Sequence, residues 1–178
     1  MKKRNIFNFF LGMVLVGTIV GCDQKKEADQ PIFSCEENAN NIYQNSSLNN
    51  FEKSKFSRLL NEKFVLYEDL FKKAGEDNNL EWELLAAISF QESQWDPKAK
   101  SNMGVRGMMM VTLETAAIVG VKNRLDPEQS INGGSKYIAS MIEKNIFGKS
   151  SSDQLAISLA SYNLGPTNII NIAQGINK

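Results

Sequence analysis

The stretch SFQESQWDP, residues 89–97, holds an acidic side chain where a helix would bury apolar ones. At about 100° per residue, and with Leu84 at zero, Ile88 falls at roughly 40° and Glu92 at roughly 80°. The Glu92 carboxyl therefore lies inside the apolar arc of this predicted helix. Burial disfavours the charged carboxylate and raises its pKa, which is what a general acid working near neutral pH requires.

Two nearby glutamates have simpler explanations. Glu81 shares the face of Glu92, yet it falls in the first turn of the predicted helix, where capping of the backbone accounts for it. Glu83 points away from the apolar arc, and we interpret it as a solvated side chain. Glu92 is therefore the candidate acid.

The composition narrows the available chemistry. The chain has 178 residues and no histidine, so Ser-His-Asp and Cys-His catalysis are excluded, as are the usual zinc sites. A glycine-rich phosphate loop of the required form is also missing from the sequence. Carboxylates, lysines and tyrosines remain for proton transfer.

A loop rich in glycine and methionine follows the candidate acid. In SNMGVRGMMM, residues 101–110, Gly104 and Gly107 permit unusual backbone conformations and the close approach of a ligand. The three methionines that end this loop are either adaptable apolar surface or simply core, and spacing alone favours the core.

A second motif, SYNLGP, occupies residues 161–166. Tyr162 shares a helical stripe with Leu155 and Leu159, so its ring is predicted to lie inside and its hydroxyl needs a hydrogen-bond partner. A buried carboxyl would suit that hydroxyl.

The elements that must position these residues are helices. From Phe51 to Ala74 apolar residues recur at helical spacing along one stripe, and Gly75 follows as a natural stop. Capping residues and helix breakers predict five more helices. They begin at Asn78 and end before Pro97, begin at Thr112 and stop at Gly120, run from Asp126 to about Asn145, from Ser151 with Gln154 to about Asn163, and from Pro166 to Gln174. No convincing strand pattern appears, so an all-α domain is predicted from residue 51.

The N-terminus has the layout of a secretory signal peptide. A basic start at residues 2–4 precedes an apolar stretch, residues 6–20, that is shorter than the ~20 residues a transmembrane helix needs. The sequence IVGC, residues 19–22, resembles the lipobox of bacterial lipoproteins. That resemblance implies removal of residues 1–21 and lipidation of Cys22, which would hold the protein at a membrane surface.

Residues 22–50 are rich in Asn, Gln, Ser and charged side chains, and we interpret them as a flexible tether, with a small folded cap as the alternative. Removal of the signal peptide takes three basic and no acidic residues from a neutral chain, which leaves a net charge of −3. Nucleic acid is therefore not an expected partner. Cys35 is then the other cysteine, and no intramolecular disulfide is expected.

Together and in this order, the motifs resemble the catalytic domain of the lytic transglycosylases, and among these the membrane-bound F-type enzymes. The resemblance rests on LLAAISFQESQWDPKAKSNMGVRGMMMVT, LDPEQSINGGSKYI and ASYNLG, and it covers about residues 55–170. It implies a goose-lysozyme-like, all-α fold with a saccharide groove, and an enzyme that needs no metal or other cofactor. It also leads us to expect that the catalytic domain, residues 51–178, is shortened at its C-terminus.

The same resemblance assigns roles to residues. Glu92 would be the catalytic acid and base, and the hydroxyl of Tyr162 is expected near its carboxyl. Met110 stands where many relatives have glutamine, which removes one polar contact to sugar. The residues implied to support Glu92 or to line the groove are Ser93, Ser101, Gly107, Met108, Met109, Met110, Tyr162 and Asn163.

The implied reaction cleaves the β-1,4 bond between N-acetylmuramic acid and N-acetylglucosamine of peptidoglycan. Protonated Glu92 donates to the glycosidic oxygen, the substrate's acetamido group stabilises the positive charge, and the carboxylate then accepts the proton of the 6-hydroxyl as a 1,6-anhydro ring closes. Two alternatives stay open: a hydrolytic, lysozyme-like muramidase, and a truncated, inactive lipoprotein that binds glycan or a partner.

The expected location is the bacterial cell envelope, with a lipid anchor and the domain facing the periplasm. The family resemblance favours the outer membrane, whereas Asp23 resembles the residue that retains some lipoproteins at the inner membrane. Peptidoglycan strands and the membrane are the expected partners, and wall remodelling, recycling and secretion are all compatible roles.

Overall fold

The computed structural model describes residues 43–176, and within that range the protein is helical. Pairing between extended residues in this range is limited to isolated bridges within one loop, so the predicted all-α class is confirmed. The α-helices with both ends in the described range are α1 (Asn50–Glu62), α2 (Glu68–Asn78), α3 (Trp82–Ser93), α4 (Leu113–Val119), α5 (Pro127–Glu143), α6 (Ser151–Leu164) and α7 (Pro166–Ile176), with a 3-10 helix at Phe64–Leu66.

Several predictions concern residues outside this range. The signal peptide (1–21), Cys22, Cys35 and the tether up to residue 42 all lie outside the described residues. Between residues 43 and 176, no helix is long and apolar enough to cross a membrane. Tyr43, the first described residue, contacts α1, because its hydroxyl donates to the Lys53 carbonyl at 2.7 Å.

The apolar stripe predicted from Phe51 to Ala74 forms two helices rather than one. The 3-10 turn separates α1 from α2. The stripe survives this break, because Leu59, Phe64 and Phe71 are all buried. Periodicity identifies the residues that face the core, but it does not show where one helix ends and the next begins.

Gly75 is not the helix stop that was predicted. α2 continues through it to Asn78, and Asn79 then takes the left-handed conformation with φ 52°. A Cβ at Gly75 would lie 2.7 Å from the Leu80 carbonyl oxygen. The glycine therefore allows the connection to α3 to pack closely, and it does not supply the turn conformation.

The predicted start of α3 was also wrong. Its N-cap is Glu81, which makes no side-chain cap bond. Asn78 belongs to α2, where its amide donates to the Ala74 carbonyl and to the Asn132 side chain on α5. Glu83 differs from its interpretation as a solvated group, because its Oε2 is buried and has no hydrogen-bond partner among the described residues.

The remaining caps follow the predicted chemistry with one shift. Thr112 and Asp126 cap α4 and α5 by accepting a backbone amide proton three residues on. For α6 the cap is Ser150, in a reciprocal box with Asp153, one residue before the predicted Ser151. Both registers have a capping residue followed by an acceptor three positions later, so sequence alone did not separate them.

An aromatic cluster anchors the C-terminal end of α3, which packs against α2 and α5. After Ser93 the chain turns through two left-handed residues, Gln94 and Trp95, each with φ 55°. This turn buries Trp95, whose indole nitrogen donates to the Ala86 carbonyl at 2.9 Å. Its ring lies 4.8 Å from that of Phe90, centroid to centroid. Burial of one large apolar side chain contributes roughly 2 kcal/mol, so the last turn of α3 is held firmly.

Candidate active site

Glu92 occupies the last turn of α3, next to its final residue. Leu85 and Ile88, on the same arc of the helix, are at most 2% exposed. Glu92 itself is half-buried, and this burial raises the pKa of its carboxyl from 4.5 to about 7. A carboxyl with such a pKa is protonated in a large share of molecules at neutral pH, so it can donate a proton and later accept one.

Ser93 and Ser89 tie α3 to the loop that follows it. The Ser93 hydroxyl donates to the Met108 carbonyl at 2.9 Å and also lies 3.1 Å from the Ser89 carbonyl oxygen. The Ser89 hydroxyl donates to the same Met108 carbonyl at 3.1 Å, and Ser89 is fully buried. Ser89 was not among the predicted site residues, although its place four residues before Ser93 on one helix face was a usable signal.

Residues 101–111 are called the methionine loop here. Of the two interpretations of its methionines, the core is confirmed for Met108 and Met109, whose side chains are 0% exposed. They can therefore line a groove only with their backbone. Gly134 on α5 makes room for Met109, since a Cβ there would lie 2.6 Å from the Met109 Cβ. The amide of Met109 donates to the buried Ser130 hydroxyl at 3.2 Å, a contact that no sequence motif indicated.

Two further loop residues have left-handed backbones. Gly107 has φ 81°, and a Cβ on it would lie 1.8 Å from the Arg124 carbonyl oxygen. Met110 has φ 45°, which costs a residue with a Cβ about 1–2 kcal/mol. Unlike its two predecessors Met110 is only half-buried, so it is the methionine whose side chain remains partly accessible.

Ser101 and Asn163 are placed more loosely than the other predicted site residues. The Ser101 hydroxyl accepts the Met103 amide proton at 3.2 Å, and the Ser101 amide donates to the Val105 carbonyl at 3.1 Å. These bonds shape the first turn of the methionine loop and do not involve Glu92. Asn163 is exposed near the end of α6.

Tyr162 on α6 completes the group around the acid. Its hydroxyl donates to the Met109 carbonyl at 2.6 Å, so its hydrogen-bond partner is a carbonyl and not the carboxyl expected from the sequence. Burial and, after it, the negative charge of Glu92 raise the pKa of Tyr162 well above its usual value. The phenol therefore stays neutral, and it lies close enough to Glu92 for the charge of the carboxylate to affect its pKa. The ring of Tyr137, which was not among the predicted site residues, lies 5.8 Å from the Tyr162 ring, centroid to centroid.

This arrangement can perform acid–base chemistry at one carboxyl. Within residues 43–176, no group of three or more His, Cys, Asp or Glu side chains is placed to hold a metal ion. A shallow pocket of about 400 Å³ opens between α2 and α3, lined by residues that include Lys72, Glu81 and Trp82. It lies at the start of α3, roughly 15 Å along the helix from Glu92, and is not part of this site.

Comparisons with known proteins identify a matching family and several similar proteins. The family model for the transglycosylase SLT domain matches residues 69–175. The chain is 52% identical over 110 residues to membrane-bound lytic murein transglycosylase F of Photobacterium profundum, which covers 62% of this chain and 21% of that protein. Proteins of the same name from Aliivibrio fischeri and Saccharophagus degradans are 50% and 49% identical over 110 residues, again 62% of this chain and 22% of each relative. The chain thus spans about a fifth of the length of these relatives.

Proposed function

We propose, on the premise that the chain belongs to the transglycosylase SLT domain family, that it is a peptidoglycan lytic transglycosylase. The bond cleaved is the β-1,4 link from N-acetylmuramic acid to N-acetylglucosamine, and the product carries a 1,6-anhydro-N-acetylmuramic acid end. The relatives are named murein transglycosylases, which supports a peptidoglycan strand as the substrate. The chemistry uses protein side chains and the substrate's own groups.

The observation that carries the proposal is the state of Glu92. Its carboxyl is half-buried at the end of α3 with a pKa raised to about 7, beside a tyrosine that burial keeps neutral. A glycosidic oxygen is a poor leaving group until it is protonated, so the reaction begins with an acid of this kind. The same group, once ionised, is a base of matched strength.

In the first step Glu92 transfers its proton to the glycosidic oxygen as the bond from that oxygen to C1 of the muramic acid breaks. The electron pair of the broken bond stays with the departing N-acetylglucosamine. Positive charge develops at C1, and the carbonyl oxygen of the substrate's acetamido group attacks there, so no second carboxylate is required.

In the second step the Glu92 carboxylate removes the proton from the 6-hydroxyl of the same muramic acid. The 6-oxygen bonds to C1 as the bond from C1 to the acetamido oxygen breaks, and Glu92 ends protonated as it began. Tyr162 donates its proton to the Met109 carbonyl at 2.6 Å, so its oxygen can accept a hydrogen bond from protonated Glu92. Ser93 holds the loop, and Ser101, Met110 and Asn163 are candidate sugar contacts.

The location belongs to the same proposal. The relatives are named membrane-bound, which supports a place in the cell envelope. Cleavage after residue 21 and lipidation of Cys22 would anchor the protein, and residues 22–50 would let the domain reach the peptidoglycan. The family resemblance favours the outer membrane, whereas Asp23 favours the inner membrane.

The test compares wild-type protein with Glu92→Gln on purified peptidoglycan sacculi. Glutamine has the shape of the acid but no transferable proton, so clearing of the suspension should slow by at least about a hundredfold. Glu143→Gln, an exposed change at the end of α5, is the matched control and should clear like wild type.

Mass spectrometry of the soluble products distinguishes a lytic transglycosylase from a hydrolytic muramidase. Anhydro ends are expected, whereas reducing ends would establish a hydrolytic muramidase with the same acid. Clearing that is equal in wild type and Glu92→Gln would reject Glu92 as the acid. No clearing by wild type, together with its sedimentation alongside sacculi, would replace the enzyme by a peptidoglycan-binding lipoprotein.

A further inference from the structure

Arg124, in the segment between α4 and α5, contacts the methionine loop from outside it. Its Nη1 donates to the Gly104 carbonyl and to the Val111 carbonyl, both at 2.9 Å. The side chain is half-buried, and within the described part of the chain it forms no ion pair with a carboxylate. Its charge-assisted hydrogen bonds are therefore committed to loop backbone.

The two carbonyls belong to different turns of the loop. In the first turn the amide of Gly104 donates to the Ser101 carbonyl at 3.1 Å. In the second, Arg106 and Val111 exchange backbone hydrogen bonds of 3.3 and 3.1 Å. One nitrogen of Arg124 thus joins a turn that carries Ser101 to a turn that carries the three methionines.

The backbone of Arg124 reinforces this contact. Its carbonyl oxygen approaches Gly107 so closely that a Cβ there would lie 1.8 Å from it. Arg124 therefore touches the loop at both turns with its side chain and at Gly107 with its main chain. The second turn also contains Met109, whose carbonyl receives the Tyr162 hydroxyl at 2.6 Å.

We propose that Arg124 is a positioning residue for the reaction. It fixes the spacing of the two turns of the methionine loop and so keeps the Met109 carbonyl where it holds Tyr162 beside Glu92. The effect of Arg124 on catalysis rests on the proposed function. Its effect on the conformation of the methionine loop does not, and it can be measured without substrate. Arg124 touches neither Glu92 nor Tyr162 and acts through the loop.

Three variants test the proposal. Arg124→Met keeps a long, unbranched apolar stem but removes both donated hydrogen bonds. Arg124→Lys retains a donor that can serve two carbonyls from one nitrogen, on a shorter side chain. Arg58→Met is the matched control, because Arg58 is exposed on α1 and, among residues 43–176, its charge pairs only with Glu62 one turn away. Each variant is checked for cooperative thermal unfolding by circular dichroism.

The catalytic readout is kcat and KM on soluble, uncross-linked glycan strands. Misplacement of a reacting group by about 1 Å can cost roughly a hundredfold in rate, so kcat should fall about ten- to a hundredfold in Arg124→Met. KM should change much less, since the strand still binds along the groove. Arg124→Lys should recover part of kcat, and Arg58→Met should match wild type.

The second readout is hydrogen exchange followed by mass spectrometry, which needs no substrate. Amides of residues 101–111 should exchange faster in Arg124→Met, less so in Arg124→Lys, and at the wild-type rate in Arg58→Met. Unchanged hydrogen exchange in this loop overturns the proposal. This outcome does not depend on the result of the Glu92→Gln activity test. A rise in KM with unchanged kcat also overturns it. If Arg124→Met does not fold, Arg124→Lys must still show lower kcat and faster exchange than wild type.

Discussion

At the scale of single residues, burial acts on Glu92 and Tyr162 in the same direction. It raises the pKa of the Glu92 carboxyl to about 7 and moves the pKa of Tyr162 upward, with the Glu92 charge adding to the effect. The consequence is that only the carboxyl changes its protonation near neutral pH. The phenol proton is already committed to the Met109 carbonyl, so the pair has one mobile proton and one fixed donor.

The raised pKa of Glu92 also affects folding stability. The folded protein holds the Glu92 proton up to about pH 7, whereas the unfolded chain loses it near its ordinary pKa of roughly 4.5. Between these values the folded state binds more protons, so the contribution of Glu92 becomes less favourable as pH rises and is constant above that window. We expect Glu92→Gln to melt several degrees above wild type at pH 8.

Thermal unfolding followed by circular dichroism at pH 4 and pH 8 checks this expectation. The difference between wild type and Glu92→Gln should be small at pH 4 and should appear as pH rises toward 7. Glu143→Gln, which changes an exposed carboxyl, should follow wild type at both values. A constant difference across this range would contradict the raised pKa.

At the scale of elements, three helices hold an irregular loop with side-chain hydroxyls. Ser89 and Ser93 of α3 bind the Met108 carbonyl, Ser130 of α5 binds the Met109 amide, and Tyr162 of α6 binds the Met109 carbonyl. Each bond contributes on the order of 1 kcal/mol net, but an unpaired buried peptide group would cost more. The loop is therefore part of the packed domain, which preorganises the backbone beside Glu92.

Two glycines of this loop separate backbone conformation from steric fit. Gly104 and Gly107 have nearly equal φ values of 79° and 81°, but a Cβ at Gly104 meets nothing within 4 Å, whereas one at Gly107 meets the Arg124 carbonyl at 1.8 Å. Gly104→Ala should cost about 1–2 kcal/mol of unfolding free energy, the strain of a left-handed alanine. Gly107→Ala should cost clearly more and should also lower activity.

Urea unfolding of the two alanine variants measures this difference directly. Equal losses of stability would mean that the loop moves away from Arg124 without cost, and the close approach would then not be a constraint on the fold. A larger loss in Gly104→Ala than in Gly107→Ala would contradict the steric argument altogether.

At the scale of the whole molecule, α5 is the shared element of the helical core, because it packs against α2, α3, α4 and α6. α2 and α5 pack against α3, and α6 packs against α5, so the acid and Tyr162 come from helices that share one core. The proposed anchor at Cys22 lies outside the described residues. A tethered domain would act on peptidoglycan within reach of its membrane, which limits its substrate by geometry as well as by chemistry.

Metabolic labelling with a tagged fatty acid tests the anchor. The full chain expressed in a bacterial host should incorporate the label, and Cys22→Ala should not, because the thiol that would accept the lipid is gone. Cys35→Ala is the matched control, since it removes the other cysteine and should leave labelling unchanged. Label in Cys22→Ala, or its loss in Cys35→Ala, would reject Cys22 as the lipidated residue.

Local patterns account for much of what could be predicted. The helical class, the caps Thr112 and Asp126 and the apolar arc around Glu92 depend on residues within a turn or two of one another, so a linear sequence contains them. Errors occurred where a choice depended on packing between elements. Gly75 packs against the turn before α3 instead of ending a helix, and Asn78 bonds across to α5 instead of capping α3.

The sequence by itself determined which carboxyl is a candidate acid, because the absence of histidine and the apolar residues one turn from Glu92 can both be read from the linear chain. Only the tertiary structure decided what surrounds it: the hydroxyl of Tyr162 binds a carbonyl 53 positions away, two methionines of the loop are core, and Arg124 joins the two loop turns. The physical reason is that a hydrogen bond needs its atoms within about 3.5 Å. Helix packing brings such atoms together from segments that are far apart in the sequence, and their sequence separation does not show that they will meet.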